Sequence, residues 1–247
     1  MPALIDVFVA LLLAHVIADF LAQPDVMVRR KAEPLILLLH IAIVFALSAL
    51  ALGGAWQLAL AVAAAHLVID AIKVWALPDN WRDSLPAFLL DQAAHVATIA
   101  AAAILVPDAI ATGLWADRIP QLQTPAILTI GAITSIWGGG YAVGLLMKPY
   151  TDQFEADDAG PTAEGLENAG RMIGKLERGL IFLFLCVGEA SATGFLIAAK
   201  SVLRFDTASK GQKAGEYVII GTLASFGWGL ASGYATLSLL EIATTKP

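Results

Sequence analysis

Three histidine–aspartate pairs lie inside apolar stretches of the chain, and the two residues of each pair are four positions apart. The pairs are His15 with Asp19, His66 with Asp70, and His95 with Asp91. Residues four apart lie on the same face of a helix, so each pair would present an imidazole and a carboxylate together. Imidazole nitrogen and carboxylate oxygen are ligands of zinc and other divalent ions. The spacing therefore predicts a metal site between three helices.

Ionisable side chains are costly at the places where these pairs stand. An aspartate or lysine at the centre of a membrane helix opposes insertion by about 2.5–3.5 kcal/mol. The three aspartates and the neighbouring Lys73 would together oppose insertion by roughly 10 kcal/mol if their costs add. Scattered polar groups cannot offset this cost, whereas a shared metal ion, mutual pairing or a wet cavity can. We therefore expect the pairs to converge on one polar site.

The predicted cofactor is a zinc-like divalent ion whose nitrogen ligands are His15, His66 and His95. Such an ion lowers the pKa of a bound water towards about 7, which makes a nucleophile at neutral pH. The candidates for general base, for further ligands and for partners of the histidines are Asp19, Asp70 and Asp91. Lys73 would stabilise a developing oxyanion or bind a phosphate. The leading hypothesis is an intramembrane metal-dependent hydrolase of a lipid or lipid-linked substrate.

Three further polar residues are expected to support the site through hydrogen bonds to its ligands. Gln23 lies eight residues after His15, and Gln92 follows Asp91 directly. His40 lies in the second apolar stretch and has no carboxylate within one helical turn. We predict that these residues assist the ligands, and for His40 a packed residue bonded to a neighbouring helix is an equally open interpretation.

Two other functions remain open at this point. Clusters of aspartate and histidine inside membrane helices also serve proton relays and ion pathways, so a transporter or channel for protons or divalent cations is the alternative. The first and third stretches share the order His-x-x-x-Asp, and the fourth reverses it, which hints at the internal repeat that transporters often have. The third hypothesis is a non-catalytic membrane subunit of a larger complex, whose polar cluster would fix the register of its helices.

The composition indicates an integral membrane protein. Of the 247 residues, 58% are hydrophobic and only 15% are charged, and the mean hydropathy is +0.75. A soluble domain of this size would carry more charged surface. The chain has no basic patch with interleaved aromatic residues, so we expect no nucleic-acid partner. The single cysteine, Cys186, excludes intrachain disulfides and cysteine-based metal clusters.

The apolar segments predict an all-α, polytopic transmembrane bundle of about seven helices. Each segment is close to the roughly 20 residues that span hydrocarbon, and they run over 4–22, 35–53, 56–77, 85–106, 125–147, 176–203 and 216–242. The predicted organisation is a four-helix core with the cluster (1–106), an interfacial loop and fifth helix (107–147), a polar cytoplasmic loop (148–174) and a C-terminal two-helix module (175–247).

Lysine and arginine in the short loops predict the orientation. Basic residues follow the first, third and fifth segments, which places these loops in the cytoplasm and the N-terminus outside; they are Arg29, Arg30, Lys31, Arg82, Lys148 and Arg171. The loop after the sixth segment disagrees, since it contains Arg204, Lys210 and Lys213. The sixth segment contains GEASATG at 188–194, where it would break if it re-entered the membrane. We favour seven full spans.

The C-terminal module contains two further candidate features. Lys200 and Arg204 lie one turn apart and would bind a lipid phosphate, although interfacial anchoring explains them equally well. Small residues recur every four positions along the last helix, at Gly221, Ser225, Gly229 and Gly233. Such a face brings helices close together. The expected partners are therefore membrane lipids and a lipid-linked substrate, with oligomerisation through the small-residue face.

The motifs resemble those of a family of bacterial inner-membrane proteins, the domain of unknown function 3307. AHVIADFLAQ, AHLVIDAIK and DQAAH are similar to its core domain over 4–106, and GRMIGKLERGLIF, GFLIAAKSVLRF and EYVIIGTLAS to a C-terminal extension. The resemblance implies a multi-pass protein of the bacterial inner membrane and implies no established activity. The segment around His66 and Asp70 also resembles membrane-bound metal-dependent hydrolases. The positions that match the motifs are His15, Asp19, Gln23, His66, Asp70, Lys73, Asp91, Gln92 and His95.

Overall fold

A computed structural model of the chain describes residues 2–156, 169–203 and 212–245, and the regular elements within these ranges are all helical. The helices are α1 (Pro2–Phe20), α2 (Asp25–Arg29), α3 (Pro34–Ala51), α4 (Trp56–Ala71), α5 (Asp79–Arg82), α6 (Leu85–Leu105), α7 (Ile119–Ile133), α8 (Gly139–Ala156), α9 (Ala169–Cys186), α10 (Ala192–Leu203) and α11 (Gln212–Thr244). Helix α4 continues into a π-helical turn at Ile72–Ala76, and a second such turn, Thr134–Gly138, joins α7 to α8.

The predicted all-α membrane bundle is confirmed, with six helices instead of seven in the described ranges that are long and apolar enough to span. These six are Ala3–Phe20, Pro34–Ala51, Trp56–Ala76, Leu85–Leu105, Ala116–Asp152 and Gly215–Thr244. The difference comes from the predicted sixth segment, which α9 and α10 divide between them around Gly188. Gly188 has a φ of +81°, a backbone conformation that ends a helix. The 12 residues of α10 extend only about 18 Å, too short for hydrocarbon about 30 Å thick.

The chain forms two compact units, and their boundary falls inside the predicted fifth helix. The first unit ends at Ile133 and also includes the end of the chain from Ser238. The second unit is Thr134–Leu237. The histidine–aspartate pairs all belong to the first unit, whereas Lys200 belongs to the second.

Helix α1 is the central helix of the first unit. It packs against α3, α6 and α7, and half of its membrane-spanning residues are buried, against 22–28% in the spans formed by α3, α4 and α6. Its apolar residues Val7 and Leu11 pack with Ile99 of α6 in the main core. The central position of α1 explains why its polar residues His15 and Asp19 face other helices and avoid lipid.

Local signals align the polar ends of the first unit. Helix α3 begins at Pro34, whose fixed φ suits a first helical position. Helix α6 begins after Ser84, whose hydroxyl accepts a hydrogen bond from the Ala87 amide. The short connections 21–33 and 77–84 join successive helices, so the C-terminal ends of α1 and α4 lie beside the N-terminal ends of α3 and α6. Each histidine–aspartate pair therefore lies towards the same end of the unit.

The second unit is organised around a buried arginine. The side chain of Arg178 on α9 donates hydrogen bonds to the carbonyl oxygens of Ser135 and Ile136 at 2.9 and 2.8 Å, and to Ser225 Oγ on α11 at 3.1 Å. Trp228 Nε1 donates to the Thr134 carbonyl at 2.9 Å. These donors satisfy carbonyl groups that the π-helical turn Thr134–Gly138 presents to α9 and α11.

The predicted small-residue face of α11 packs closely within this unit. The Gly229 Cα faces Ile181, and a β-carbon at Gly229 would lie 3.3 Å from two Ile181 atoms. Gly233 faces Leu185 and Gly221 faces Met147 in the same manner. The close approach of helices that the spacing indicated is therefore present inside the chain, and oligomerisation through this face stays a prediction.

Candidate metal centre

Four helices of the first unit bring the polar residues together. His15 and Asp19 lie on α1, His40 on α3, His66 and Asp70 on α4, and Asp91 and His95 on α6. We call these seven residues the His/Asp cluster. Each of them is at most 8% exposed, although imidazole and carboxylate groups lose hydration when they are buried. The sequence predicted the convergence of three helices, and the structure adds α3 as a fourth.

The tightest part of the cluster is a group of four atoms, Nε2 of His40 and His66, Oδ1 of Asp19 and Oδ2 of Asp70. The two Nε2 atoms are 3.2 Å apart. Asp19 Oδ1 lies 3.4 Å from His40 Nε2 and 3.5 Å from His66 Nε2. Asp70 Oδ2 lies 3.6 Å from His40 Nε2 and 3.4 Å from His66 Nε2. We call these four atoms the primary centre.

These distances match the edges of a tetrahedral metal site. Zinc binds imidazole nitrogen and carboxylate oxygen at about 2.0–2.2 Å, and a regular tetrahedron with such bonds has edges of about 3.3–3.6 Å. The five measured separations run from 3.2 to 3.6 Å. The five edges that involve a His40 or His66 nitrogen therefore have the lengths expected between the ligands of one tetrahedral ion.

Unsatisfied hydrogen-bonding atoms are concentrated at the same place. Within the described ranges, the buried side-chain atoms without a hydrogen-bond partner are His15 Nδ1, Asp19 Oδ1, Gln23 Nε2, His40 Nδ1, Asp70 Oδ2, Asp91 Oδ1 and both ring nitrogens of His95. Buried polar atoms in proteins are nearly always bonded, and each exception calls for an explanation. Two of these orphaned atoms, Asp19 Oδ1 and Asp70 Oδ2, belong to the primary centre. Their contacts to His40 and His66 are long for hydrogen bonds.

Two lysines neutralise part of the carboxylate charge. Lys31 Nζ lies 2.8 Å from Asp70 Oδ1, and Lys73 Nζ lies 2.9 Å from Asp91 Oδ2. Lys73 therefore faces the cluster, as its predicted role requires. Sequence reasoning missed Lys31, which served there only as an orientation signal in the loop before α3. Each lysine occupies one oxygen of its aspartate and leaves the other free.

Gln92 connects the remaining residues of the cluster. Its Oε1 lies 3.3 Å from His15 Nε2, and its Nε2 donates to Asp19 Oδ2 and Asp91 Oδ2, both at 3.3 Å. Gln92 therefore contacts three residues of the cluster, and its predicted role in supporting metal ligands stays a prediction. Gln23 is buried, at 8% exposure, and the structure gives its Nε2 no partner among the described residues.

The three histidines predicted as ligands lie in different parts of the cluster, and each belongs to a group of residues that could hold a metal ion. His66 lies in the primary centre, while His15 Nδ1 is 3.8 Å from Asp19 Oδ1 and His95 Nε2 is 3.8 Å from Asp70 Oδ1. His40, predicted only to assist, contributes its Nε2 to the primary centre. No carboxylate follows His40 within one turn of α3, so the pair spacing could not reveal it. The remaining signal was its position, six residues inside α3 and level with the polar ends of the other helices.

The predicted lipid-phosphate residues lie in the second unit. Lys200 Nζ donates to Glu177 Oε2 at 2.6 Å, and both side chains are largely buried. Arg204 lies outside the residues that the structure describes. Phosphate binding by this pair therefore stays a prediction.

Comparison with known proteins finds a family model that matches the part of the chain containing the cluster. Residues 7–116 match the model of the family described as "Protein of unknown function (DUF3307)". Over that segment the chain is similar to this family. The matched segment contains every residue of the His/Asp cluster and both lysines. No curated protein and no solved structure matches the chain. The resemblance to metal-dependent hydrolases stays a prediction.

Proposed function

We propose that this protein is a membrane metalloprotein that binds one zinc-like divalent ion at the primary centre. We further propose that it hydrolyses a lipid-linked substrate at the cytoplasmic face of the bacterial inner membrane. The observation that supports the ion is a set of five separations of 3.2–3.6 Å, which join the His40 and His66 nitrogens to each other and to one oxygen each of Asp19 and Asp70. When bound, the ion would supply positive charge that stabilises the anionic group developing during attack by water.

The depth of the cluster supports a lipid-linked substrate. His40 lies six residues inside α3 and Asp91 six residues inside α6, which is about 9 Å along each helix axis. The hydrocarbon core is about 30 Å thick, so this depth lies between the midplane and the surface. Transporters usually bind their substrates near the midplane. A site closer to the surface is better placed for the bond that joins a lipid to its headgroup.

Asp91 presents a carboxylate oxygen to the cluster that its lysine does not occupy. Its Oδ1 is buried and has no hydrogen-bond partner within the described residues, so it is available to a bound group. Lys73 holds the other carboxylate oxygen at 2.9 Å. The lysine therefore fixes the orientation of Asp91 and supplies positive charge beside a reacting anionic group.

Elemental analysis of matched histidine variants tests this function. Protein purified in detergent without chelator should contain zinc, and His40→Ala should lose it, because that variant removes one corner of the primary centre. His15→Ala is the matched control, since His15 is equally buried in the cluster and its Nε2 is bonded to Gln92. We expect His15→Ala to retain the ion. Wild type and His15→Ala should release phosphate from phosphatidic acid in nanodiscs, and His40→Ala should not.

The reverse result would contradict the assignment. Loss of zinc in His15→Ala with retention in His40→Ala would favour the three-histidine set predicted from sequence. Wild-type protein without any bound divalent ion would exclude the metalloprotein proposal altogether.

Cation transport is the second candidate, and a small cavity favours it. A cavity of about 10 Å³ is lined by His15, His66 and His95 and continues to Ser48 and Thr98, deeper in the bundle. This volume is close to the space that a single water needs, so the cavity would hold one water beside the cluster. If proteoliposomes take up zinc and the protein releases no phosphate, the proposed hydrolase function is wrong and cation transport is the function.

A further inference from the structure

His95 lies beside the primary centre but contributes no atom to it. It is only 2% exposed, and neither ring nitrogen has a hydrogen-bond partner among the described residues. Its ring centroid lies 3.8 Å from that of His66, and its Nε2 lies 3.8 Å from Asp70 Oδ1. A buried imidazole with two empty nitrogens has lost its bonds to water without replacement. It therefore indicates a ligand that the cluster holds.

Two carboxylates complete a second ligand set around His95. Asp91 Oδ1 is buried without a partner, and Asp70 Oδ1 accepts only the hydrogen bond from Lys31. One ligand atom from each of Asp70, Asp91 and His95 lies within 4.8 Å of the other two. A carboxylate oxygen has two lone pairs and can accept both a lysine and a cation. We call these three residues the secondary centre.

The two centres differ in how many positions they leave open. The primary centre has four protein atoms, which is the number that closes a tetrahedral site. The secondary centre has three, which leaves a position for water or substrate, as catalytic metal sites do. Asp70 belongs to both centres, with Oδ2 in the primary one and Oδ1 facing His95. The arrangement therefore resembles a pair of neighbouring sites joined by one carboxylate.

The net charge of the site determines when a cation would bind at the secondary centre. With neutral histidines, the three aspartates and two lysines of this site sum to −1, and one divalent ion changes the sum to +1. A second divalent ion would raise it to +3, and uncompensated buried charge of this size is strongly unfavourable. A phosphate monoester carries about −1.5 to −2 charges at neutral pH. Such an anion would return the sum to about +1.

We propose that a second divalent cation binds at the secondary centre, and that it binds together with a phosphate monoester. The inference rests on the proposed metalloprotein function and specifies the substrate class of the same site. The phosphate group belongs either to a soluble ester or to a lipid. In both cases the phosphate oxygens occupy the position that the protein leaves open.

Zinc stoichiometry with and without phosphate tests the proposal. Wild-type protein in phosphatidylcholine nanodiscs is equilibrated with buffered free zinc, and bound zinc is measured after subtraction of protein-free nanodiscs. We expect one zinc per chain in phosphatidylcholine alone, and two when inorganic phosphate or phosphatidic acid is added. An increase with phosphatidic acid only identifies the lipid source, whereas an increase with both shows that the phosphate group suffices.

Variants separate the two centres. His95→Ala should stay at one zinc per chain under every condition, and that retained ion reports that the primary centre and the fold persist. His15→Ala should still reach two, because His15 belongs to neither centre. A wild-type value of one in all conditions, or a value of two in His95→Ala, would overturn the secondary centre and leave the proposed function intact. A value of zero in the wild type would overturn both.

Discussion

At the scale of single residues, His40 shows what the spacing of histidine–aspartate pairs does not predict. It is completely buried, and its Nε2 lies within 3.6 Å of His66, Asp19 and Asp70. Pair spacing identifies residues that share a helix face, and it is silent about a ligand whose partners all come from other helices. The three histidine–aspartate pairs were therefore predictable from sequence, while the position of His40 beside them required the packing of α3 against α1 and α4.

Lys31 provides a prediction at this scale, because it neutralises an aspartate that is only 1% exposed. Removing one partner of a buried ion pair leaves an uncompensated charge and typically costs about 3–5 kcal/mol. Lys31→Met should therefore unfold at lower temperature than wild type without metal. Zinc should restore much of this loss, since it would supply positive charge to the same carboxylate.

The measurement is thermal unfolding in detergent, with and without zinc. Lys148→Met is the control, because it removes the same charge from an exposed position on α8. The zinc-induced rise in melting temperature should be larger in Lys31→Met than in Lys148→Met. Equal rises would mean that the ion and Lys31 do not share Asp70.

At the scale of helices, the sequence predicted most spans and misjudged one. The continuous apolar runs of α1, α3, α4 and α6 predict helices, because within a bilayer a single segment satisfies its own backbone hydrogen bonds only as a helix. The segment 176–203 is also largely apolar, but Gly188 adopts a left-handed conformation and the helix ends near it. Hydropathy is averaged over a window of residues. It therefore does not detect the end of a helix that one glycine and a few small residues produce.

The contact between α8 and α9 gives a prediction at this scale. A β-carbon at Gly139 would lie 2.6 Å from Arg178 Cδ and 2.6 Å from Trp228 Cδ1. Both side chains are held by hydrogen bonds to the π-helical turn Thr134–Gly138, so neither moves away freely. Gly139→Ala should destabilise the second unit by about 1–3 kcal/mol through overpacking.

Gly144→Ala is the matched control, because Gly144 lies on the same helix and a β-carbon there would meet nothing within 4 Å. Alanine favours a helix over glycine by about 1 kcal/mol, so this variant should unfold at the same temperature as wild type or higher. Thermal unfolding in detergent compares the two. Equal melting temperatures would show that Arg178 and Trp228 are not held in place.

At the scale of the whole molecule, function depends on which membrane face the His/Asp cluster approaches. The loops at the cluster's end of the first unit contain Arg29, Arg30, Lys31 and Arg82, and the positive-inside rule assigns such loops to the cytoplasm. The connection 106–115 at the other end has no lysine or arginine. A substrate that carries phosphate would therefore be reached from the cytoplasmic leaflet.

Single cysteines test this orientation in cells. Cys186→Ser removes the one natural cysteine, and the exposed positions Asp83 and Thr112 then mark opposite ends of the first unit. Asp83→Cys should react with a membrane-impermeant maleimide only in inverted vesicles, and Thr112→Cys only in intact spheroplasts. The opposite pattern would place the cluster near the outer face. A phosphorylated substrate would then have to come from the outer leaflet, even if the metal centre were correct.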